Sequence, residues 1–254
     1  HRRSICSIEW LTRMTVVPLY NTPARYFKQM TGSVRKQTYT NWQLVMMDAS
    51  DAAHAEVSAK AAALAQKDAR FVYRKIENVG IAANTTQGFA AATGEYLTLL
   101  DHDDVIYPNA LYDVVRSIQS TGADFVYSDE IVLSDDFKQL GGYHFKPDFA
   151  PDYLRGVNYI THLAVFSRKL LNAAGAYEDP NFDGAQDHDL ILRLTEKATK
   201  IHHIKKCLYV WRAAAGSTAQ TMDAKPYAVA AGERAINAHL QRVGLQGEAR
   251  AIPG

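Results

Sequence analysis

The chain has 254 residues, of which 47% are hydrophobic and 22% are charged. This composition is ordinary for a folded protein and excludes a disordered or fibrous class. The 28 basic and 27 acidic side chains leave a net charge of +1, so the chain lacks the excess positive charge with which proteins grip a nucleic-acid backbone. We therefore expect no nucleic-acid partner.

The two cysteines, Cys6 and Cys207, form neither a CxxC pair nor a closely spaced framework. This usage favours reduced thiols, and so a cytoplasmic protein, over a secreted domain held by disulfides. The sequence has no run of eighteen apolar residues, so we expect no transmembrane segment. Its first residue is not methionine and its last four form no polar tail. We expect a piece of a longer, tandem-domain protein, which would supply any peripheral association with the inner face of the membrane.

Strand-like and helix-like patterns alternate along the first half of the chain. Short runs of β-branched and apolar residues predict strands at residues 15–19, 43–47, 71–74, 96–100 and 124–127. Thr22 offers a capping oxygen ahead of Pro23, which predicts a helix over the residues that follow. A second helix opens at Pro108, carries apolar residues at helical spacing and ends at Gly122.

This alternation predicts right-handed β-α-β crossovers and a mostly parallel sheet with helices on both faces, which is an α/β fold. Ligands of such sheets bind beyond the carboxyl ends of the strands. The second half is less regular, with a strand expected at 163–167 and helices at 187–198 and 227–243. Since no repeat or linker divides the chain, we expect one domain over residues 1–254.

The strongest local signal is the run Asp101-His102-Asp103-Asp104, which directly follows an apolar strand. Side chains two apart on an extended segment point the same way, so Asp101 and Asp103 would share one site and require a cation to offset their repulsion. Carboxylate ligands favour Mg²⁺ or Mn²⁺, and substrate phosphates fill the remaining positions of such ions. The alternative is a solvated acidic turn ahead of the second helix.

Several motifs stand in a fixed order around this acidic run, and the order resembles that of family 2 glycosyltransferases over about residues 14 to 245. The motifs ahead of the run are Val16-Val17-Pro18-Leu19-Tyr20-Asn21, Gln37-Thr38-Tyr39-Thr40-Asn41-Trp42-Gln43-Leu44, Asp48-Ala49-Ser50-Asp51, Asn78-Val79-Gly80-Ile81 and Ala92-Thr93-Gly94-Glu95-Tyr96. The resemblance implies the glycosyltransferase A fold, a Rossmann-like, mixed and mostly parallel sheet flanked by helices. It also implies a nucleotide-sugar-binding half at 14–127 and an acceptor-binding half at 128–245.

The resemblance assigns residues to a nucleotide-sugar site. It places Pro18, Tyr20 and Asp48 at the base, Asp101 on the ribose and diphosphate side, and Asp101 with Asp103 at the metal ion. It further implies nucleotide-sugar contacts by Asn21, Asn78, Gly80 and His102. Without the resemblance, Pro18 and Tyr20 fit strand-end packing and Asp48 fits a helix cap. Ala49 replaces the second acid of the family pair, and Thr85 stands near where many members carry an arginine, so the base stays open.

Two downstream motifs extend the resemblance to the acceptor side. Gly175-Ala176-Tyr177-Glu178-Asp179 precedes Gln186-Asp187-His188-Asp189, which places Asp187 at the position of the catalytic base and Gln186 beside it. Inverting transfer needs one carboxylate to take the proton of an acceptor hydroxyl. The structural alternative for Asp187 is a carboxylate that stabilises a helix N-terminus.

The last motif, Leu208-Tyr209-Val210-Trp211-Arg212 followed by Gly216-Ser217-Thr218, resembles a segment whose aromatic and arginine border the diphosphate and the acceptor. This implies such roles for Trp211 and Arg212, where Arg212 would neutralise the leaving phosphate. Val210 occupies the position where the family usually has a histidine, so a third metal ligand from this segment is missing. His162, His202 and His203 are candidates to replace it, and His162 is the best of them because it lies just before the strand at 163–167.

The sequence thus predicts an inverting, metal-dependent sugar transfer from a UDP- or dTDP-sugar to a saccharide or lipid-linked saccharide acceptor, with Mn²⁺ or Mg²⁺, in bacterial surface polysaccharide synthesis. Two alternatives stay open. A sugar-phosphate nucleotidyltransferase usually opens with a glycine-rich loop, whereas this chain opens with Pro18-Leu19-Tyr20-Asn21. A degenerate binding module is suggested by Ala49, Gln186 and Val210.

Overall fold

A computed structural model describes residues 13–175, 179–213 and 226–251, so the motif residues 176–178 and 216–218 lie outside the described part. The elements in chain order are β1 Arg13–Leu19, α1 Ala24–Arg35, β2 Trp42–Asp48, α2 Ala55–Lys67, β3 Phe71–Lys75, α3 Ile81–Ala91, β4 Tyr96–Leu99, β5 Val105–Ile106, α4 Ala110–Thr121, β6 Phe125–Ser134, β7 Leu140–His144, α5 Pro151–Gly156, β8 Ala164–Ser167, α6 Arg168–Ala174, α7 Gln186–Lys197, β9 Ile201–Ala213 and α8 Pro226–Arg242. None of these helices is long and apolar enough to cross a membrane.

The described strands form one sheet in the order β3-β2-β1-β4-β8-β6-β9-β5, and β7 pairs with β6 beside this path. Strands β3, β2, β1 and β4 are parallel to one another, whereas β8 runs antiparallel to both β4 and β6. From β1 the chain first adds β2 and β3 on one side and then β4 on the other. In α/β sheets, ligands bind in the crevice beyond the carboxyl ends of the strands at such a switch point.

Helices cover both faces of the sheet because alternate strand residues point to opposite sides. On β2, Leu44 and Met46 join a buried apolar cluster that includes residues of α1, α2 and α4. Val45 and Met47 join a second cluster with residues of α3, α6 and α7. This layered arrangement confirms the predicted α/β class with a mixed, mostly parallel sheet.

The predicted elements occur close to their expected bounds. The helices expected at 187–198 and 227–243 are α7 and α8, each shifted by one residue. Strand β6 begins as predicted but continues to Ser134, since its second part pairs with β7 on one side and β9 on the other. Strands β5, β7 and the full length of β9 were not predicted.

Three local predictions need correction. Thr22 does not cap α1, because its hydroxyl is hydrogen-bonded to His102 Nδ1 at 2.7 Å and Pro23 occupies the N-cap position. Helix α4 begins at Ala110 instead of Pro108, although it ends at a left-handed Gly122 with φ of 71° as expected. The acidic run is not extended, because the Asp104 amide donates to the Asp101 carbonyl at 3.2 Å in a turn.

Candidate active site

A cleft of about 400 Å³ opens at the carboxyl ends of β1 and β4. The sheet contributes Pro18 near the carboxyl end of β1, Leu99 at the carboxyl end of β4, and Trp211 on β9. Three helices supply the opposite wall, through Ile81 and Thr85 of α3, Gln186, Asp187, Leu190 and Ile191 of α7, and Tyr227 and Ala228 of α8. A concave site that is mostly apolar and carries a few convergent polar groups is the usual form of a small-molecule site.

Six of the predicted site residues line this cleft, and they are Pro18, Asp101, His162, Gln186, Asp187 and Trp211. They come from five separate stretches of sequence, so only the fold brings them together. The cleft also holds residues that the motifs did not indicate, among them Thr161, Gly184 and Tyr227. Their surrounding sequence carries no chemical signature, so a pattern search had no means of finding them.

Three side chains can hold a metal ion, and two of them, Asp101 and His162, line the cleft. Asp101, Asp104 and His162 each present a ligand atom, and these atoms lie within 4.8 Å of one another. Two carboxylates and an imidazole form a donor set that fits a hard or borderline divalent cation such as Mn²⁺. Asp103 is not one of these three residues. Its predicted place at the metal ion together with Asp101 stays a prediction.

Asp104 is buried and firmly held. Its Oδ2 accepts from the Tyr209 hydroxyl and its Oδ1 from the Arg212 amide, both at 2.7 Å. Burial and the nearby charge of Asp101 raise the pKa of Asp104 to about 8. Because like charges at this spacing repel, a cation would stabilise the ionised pair.

His162 joins the two carboxylates on either side of it. Its Nε2 lies 3.3 Å from Asp101 Oδ2, and its Nδ1 lies 3.2 Å from Glu130 Oε2. Burial alone would lower the pKa of the imidazole, but the two carboxylates outweigh it and raise the pKa of His162 to about 10. The ring also stacks on Tyr209, with centroids 4.5 Å apart. His162 is thus fixed at the cleft by contacts on every side.

A buried ion pair that the sequence did not indicate supports this histidine. Glu130 is buried and receives hydrogen bonds from Lys146 Nζ at 3.2 Å and from the rings of His144 and His162. Lys146 also donates to the backbone carbonyls of Ile160 and His162. Burial opposes ionisation of Glu130, yet the surrounding positive charges hold its pKa at about 2. The pair anchors the loop that carries His162.

Asp187 stands at the start of α7 and faces the cleft. Its Oδ2 accepts a hydrogen bond from Asn158 Nδ2 at 3.1 Å, which fixes the direction of the carboxylate. The neighbouring Gln186 accepts from the Gly184 amide at 2.8 Å and shapes the turn ahead of the helix. Asp189 is buried instead, and accepts from Arg193 Nε at 2.8 Å. Of these two aspartates, only Asp187 is available to a ligand.

The loops after β1 and β2 are joined by hydrogen bonds. Asn21 donates through its amide to Ser50 Oγ at 2.9 Å and through its side chain to Asp51 Oδ2 at 3.0 Å. Tyr20 stays 53% exposed beside them. Neither residue lines the cleft, so a role in binding the base remains a prediction.

Asp48 shapes the loop that follows it. The side chain is fully buried, and accepts from the Ser50 amide, the Ser58 hydroxyl and the Tyr73 hydroxyl. Burial would raise the pKa of this carboxyl, but the hydrogen bonds outweigh it and lower the pKa. Asp48 does not line the cleft, so its predicted contact with a nucleotide base stays a prediction.

Asn78 and Gly80 form the turn that leads into α3. Asn78 Oδ1 accepts from the Gly80 amide at 3.3 Å and from Asn84 Nδ2 at 3.0 Å. Gly80 has a φ of 102°, and a Cβ there would lie 3.4 Å from Asp183 Oδ2. Glycine therefore suits this turn on conformational grounds. Asn78, Gly80 and His102 stand beside the cleft and do not line it.

Arg212 lies on the other face of the sheet from the cleft. Its guanidinium donates to the carbonyls of Asp103 and Asp135 and, at 2.8 Å, to Gln29 Oε1. The rings of Tyr26 and Phe137 stack on it, with centroids 4.3 and 3.8 Å away. Since Trp211 faces the cleft, strand alternation turns Arg212 away from it. Arg212 does not line the cleft, so its predicted role beside a diphosphate stays a prediction.

Known proteins resemble the chain in both sequence and fold. The model of "Glycosyl transferase family 2" matches residues 15–174. An uncharacterized protein, y4gI, of Sinorhizobium fredii is 40% identical over 232 residues, which cover 89% of this chain and 25% of the relative. The O-antigen biosynthesis protein RfbC of Myxococcus xanthus is 33% identical over 235 residues, covering 92% of this chain and 18% of the relative. The chain thus spans a quarter or less of these curated relatives.

Solved structures show the same fold at low sequence identity. S. aureus TarS 1-349 in complex with UDP-GlcNAc has a TM-score of 0.74 at 16% identity, and the match covers 92% of this chain and 68% of that one. The mannosyltransferase PcManGT from Pyrobaculum calidifontis, in complex with GDP-Man and Mn²⁺, has a TM-score of 0.61 at 16% identity, covering 94% and 66%. These likenesses identify the glycosyltransferase A fold.

Proposed function

Because this chain belongs to glycosyl transferase family 2, we propose that it transfers a sugar from a nucleotide-diphosphate donor to a hydroxyl group of a saccharide acceptor, with inversion at the anomeric carbon. The observation that carries the proposal is that Asp187 lines the same cleft as Asp101 and His162, which form a cluster with Asp104. A single carboxylate and a diphosphate-binding group are the two chemical elements that inverting transfer needs.

The donor is proposed to be a UDP- or dTDP-sugar whose diphosphate lies at the floor of the cleft. Asp101, Asp104 and His162 would hold a divalent ion there, either Mn²⁺ or Mg²⁺. When bound, such an ion neutralises the charge of the diphosphate and makes it a better leaving group. In support, TarS, which shares this fold, was solved with UDP-GlcNAc, and PcManGT with Mn²⁺.

Asp187 is proposed to act as the general base. Its carboxylate takes the proton of the acceptor hydroxyl while that oxygen forms a bond to the anomeric carbon and the bond from this carbon to the diphosphate breaks. The hydrogen bond from Asn158 keeps the carboxylate aimed into the cleft. Since the diphosphate leaves as a stabilised anion, no second carboxylate is needed as a general acid. Trp211 lines the same cleft and offers an aromatic surface to a sugar ring.

The acceptor is proposed to be a saccharide or lipid-linked saccharide of a bacterial surface polysaccharide. The support is the similarity to RfbC, whose name assigns it to O-antigen biosynthesis. Discrimination between sugars depends on pocket shape, and one methylene changes it by only about 1–3 kcal/mol. The residues of α3, α7 and α8 that line the cleft would therefore determine which donor sugar is accepted.

The test is a comparison of Asp187→Asn with Asp189→Asn, which is the same change two residues along α7. We expect Asp187→Asn to lower sugar transfer by roughly 10²- to 10⁴-fold, the usual effect of a positioned base, while nucleotide binding stays near wild type. Asparagine retains the shape but cannot accept a proton at neutral pH. Asp189→Asn should affect thermal stability more than turnover, because Asp189 pairs with Arg193 inside the protein.

The outcomes also separate the alternatives. Wild-type transfer by Asp187→Asn would contradict the assignment of the base, and loss of nucleotide binding would make Asp187 a structural residue. A panel of nucleotide sugars that binds but is never turned over would favour the degenerate binding module. Formation of pyrophosphate from a nucleoside triphosphate and a sugar phosphate would favour the nucleotidyltransferase.

A further inference from the structure

A second, larger groove of about 880 Å³ lies on the other face of the sheet from the cleft. Strand β9 separates the two, because Val210 lines the groove and the next residue, Trp211, lines the cleft. The wall of the groove is α1 and the residue that follows it, and the floor is formed by Val105, Leu133, Phe137 and Val210. The proposed transfer reaction uses none of these side chains.

The wall of this groove is strongly positive. It carries Arg25, Lys28, Arg35 and Lys36, and no carboxylate is among the described residues that line the groove. Arg25 pairs with Asp135, whereas the other three make no ion pair with any residue in the described ranges. The whole chain has a net charge of only +1. The three unpaired cations on this wall therefore form a local positive field that the composition conceals.

Exposed aromatic side chains extend the same face of the sheet beyond the groove. Four residues are in register across neighbouring strands. Tyr143 of β7 pairs with Ile131 of β6, Ile131 pairs with Val210 of β9, and Val210 pairs with Val105 of β5. Residues in register on neighbouring strands point to the same face, so Tyr143 lies on the groove side, about 10 Å from β9. Tyr143 is 52% exposed and stacks on Phe145, which is 73% exposed, with ring centroids 5.4 Å apart.

We propose that this face of the protein docks on a membrane surface that contains anionic phospholipids. Basic side chains contact the phosphate head groups, and the apolar floor with the Tyr143–Phe145 pair contacts the head-group and acyl boundary. Lysine and arginine near an anionic leaflet are attracted by its negative potential, while amphipathic aromatic rings settle at the interface. Charge complementarity and the neighbouring exposed rings favour a lipid surface over a small soluble anion, which would leave the rings without a partner.

The test is sedimentation of the chain with phosphatidylcholine vesicles, with and without phosphatidylglycerol. We expect binding only to the anionic vesicles, and weaker binding at high salt, because exposed charges are screened beyond about 10 Å at 0.1 M salt. The double variant Lys28→Glu/Lys36→Glu should lower the partition coefficient at least about 30-fold. The matched control is Lys169→Glu/Lys197→Glu, which makes the same charge change at exposed helix positions away from the groove and should bind as wild type.

A second variant tests the aromatic part of the surface. The double variant Tyr143→Ser/Phe145→Ser should still bind anionic vesicles at low salt through its basic residues. It should lose the binding to these vesicles that the wild type retains at high salt. The proposal is overturned if anionic vesicles do not bind, if neutral vesicles bind equally, or if the lysine reversal leaves binding unchanged. Calorimetry with inorganic pyrophosphate tests the alternative that the groove binds a soluble phosphate. That alternative holds if pyrophosphate binds the wild type, does not bind the lysine variant, and no vesicle binding is observed. No donor or acceptor is present, so the result is independent of the proposed transfer.

Discussion

Asp101 and Asp103 are two residues apart in sequence but stand in different surroundings. Asp101 approaches His162 and Asp104, whereas Asp103 is not part of this group and its backbone carbonyl accepts from Arg212 Nε at 2.5 Å. We expect Asp101→Asn to lower the gain in UDP affinity that Mn²⁺ provides by at least about tenfold. Calorimetry with Mn²⁺ and with EDTA measures this gain. Asp103→Asn is the matched control, and an equal loss in both variants would return Asp103 to the metal site.

Arg212 has a structural role that lysine cannot reproduce. Its planar guanidinium donates to three acceptors while lying between Tyr26 and Phe137. A lysine has one charged nitrogen and no flat face, so buried acceptors would lose their donors. We expect Arg212→Lys to lower the free energy of unfolding by about 3 kcal/mol, measured by urea denaturation. Arg116→Lys on the exposed side of α4 should stay within about 0.5 kcal/mol of wild type.

At the scale of elements, the sequence predicted those helices and strands that have a clear local residue pattern. Helix α4 was evident from apolar spacing and Gly122, and the first strands from their β-branched runs. Strand β7 was missed because Gly141 and Gly142 give it no strand signal, although it pairs with the preceding strand β6. Strand β9 was missed because residues 208–210 are all buried, so the alternation of a half-exposed strand does not appear.

Of the candidate site, only the residues that belong to sequence motifs could be predicted. The motifs brought Asp101, Asp187 and Trp211 to attention, and these line one cleft. They also suggested Arg212 and Asp103, whose directions depend on strand alternation and on the turn after β4. Glu130 and Lys146 carry no motif, because a buried ion pair between distant segments exists only once the sheet has formed.

Helix α8 is attached to α7 through a buried carboxylate. Glu196 accepts from the His239 ring and from Arg242, both at 2.7 Å. Burial opposes its ionisation, but these partners outweigh it and lower the pKa of Glu196 below its usual value of 4.5. A depressed folded-state pKa stabilises the protein above the unfolded-state pKa, and this stabilisation is lost as the pH falls through the folded value.

We therefore expect Glu196→Gln to lower the free energy of unfolding by about 2 kcal/mol at neutral pH. The difference from wild type should narrow below about pH 4.5, where the wild-type carboxylate is protonated as well. Urea denaturation at a series of pH values measures this. Glu56→Gln removes an exposed pair with Lys60 and should cost less than about 1 kcal/mol at every pH. A difference that stays constant through the acid range would contradict the linkage.

At the scale of the whole molecule, the balanced charge sets the response to nucleic acid. The groove carries four basic side chains, and the chain as a whole has a net charge of only +1, so few phosphates can be contacted at once. We expect any complex with DNA or RNA to dissociate at physiological salt, since affinity falls steeply with salt for each contacted phosphate. Fluorescence anisotropy with labelled oligonucleotides measures this. A complex that resists salt would show that the groove serves nucleic acid.

Strand β9 alone separates the cleft on one face of the sheet from the groove on the other face. A displacement of its backbone would move Trp211 and Val210 together, because they are joined by a peptide bond. If such a displacement makes binding on one side depend on binding on the other, the coupling is symmetrical. Whatever factor an anionic surface applies to nucleotide affinity, nucleotide must then apply to the affinity for that surface. A donor-loaded protein and an empty one would in that case differ in how tightly they bind a bilayer.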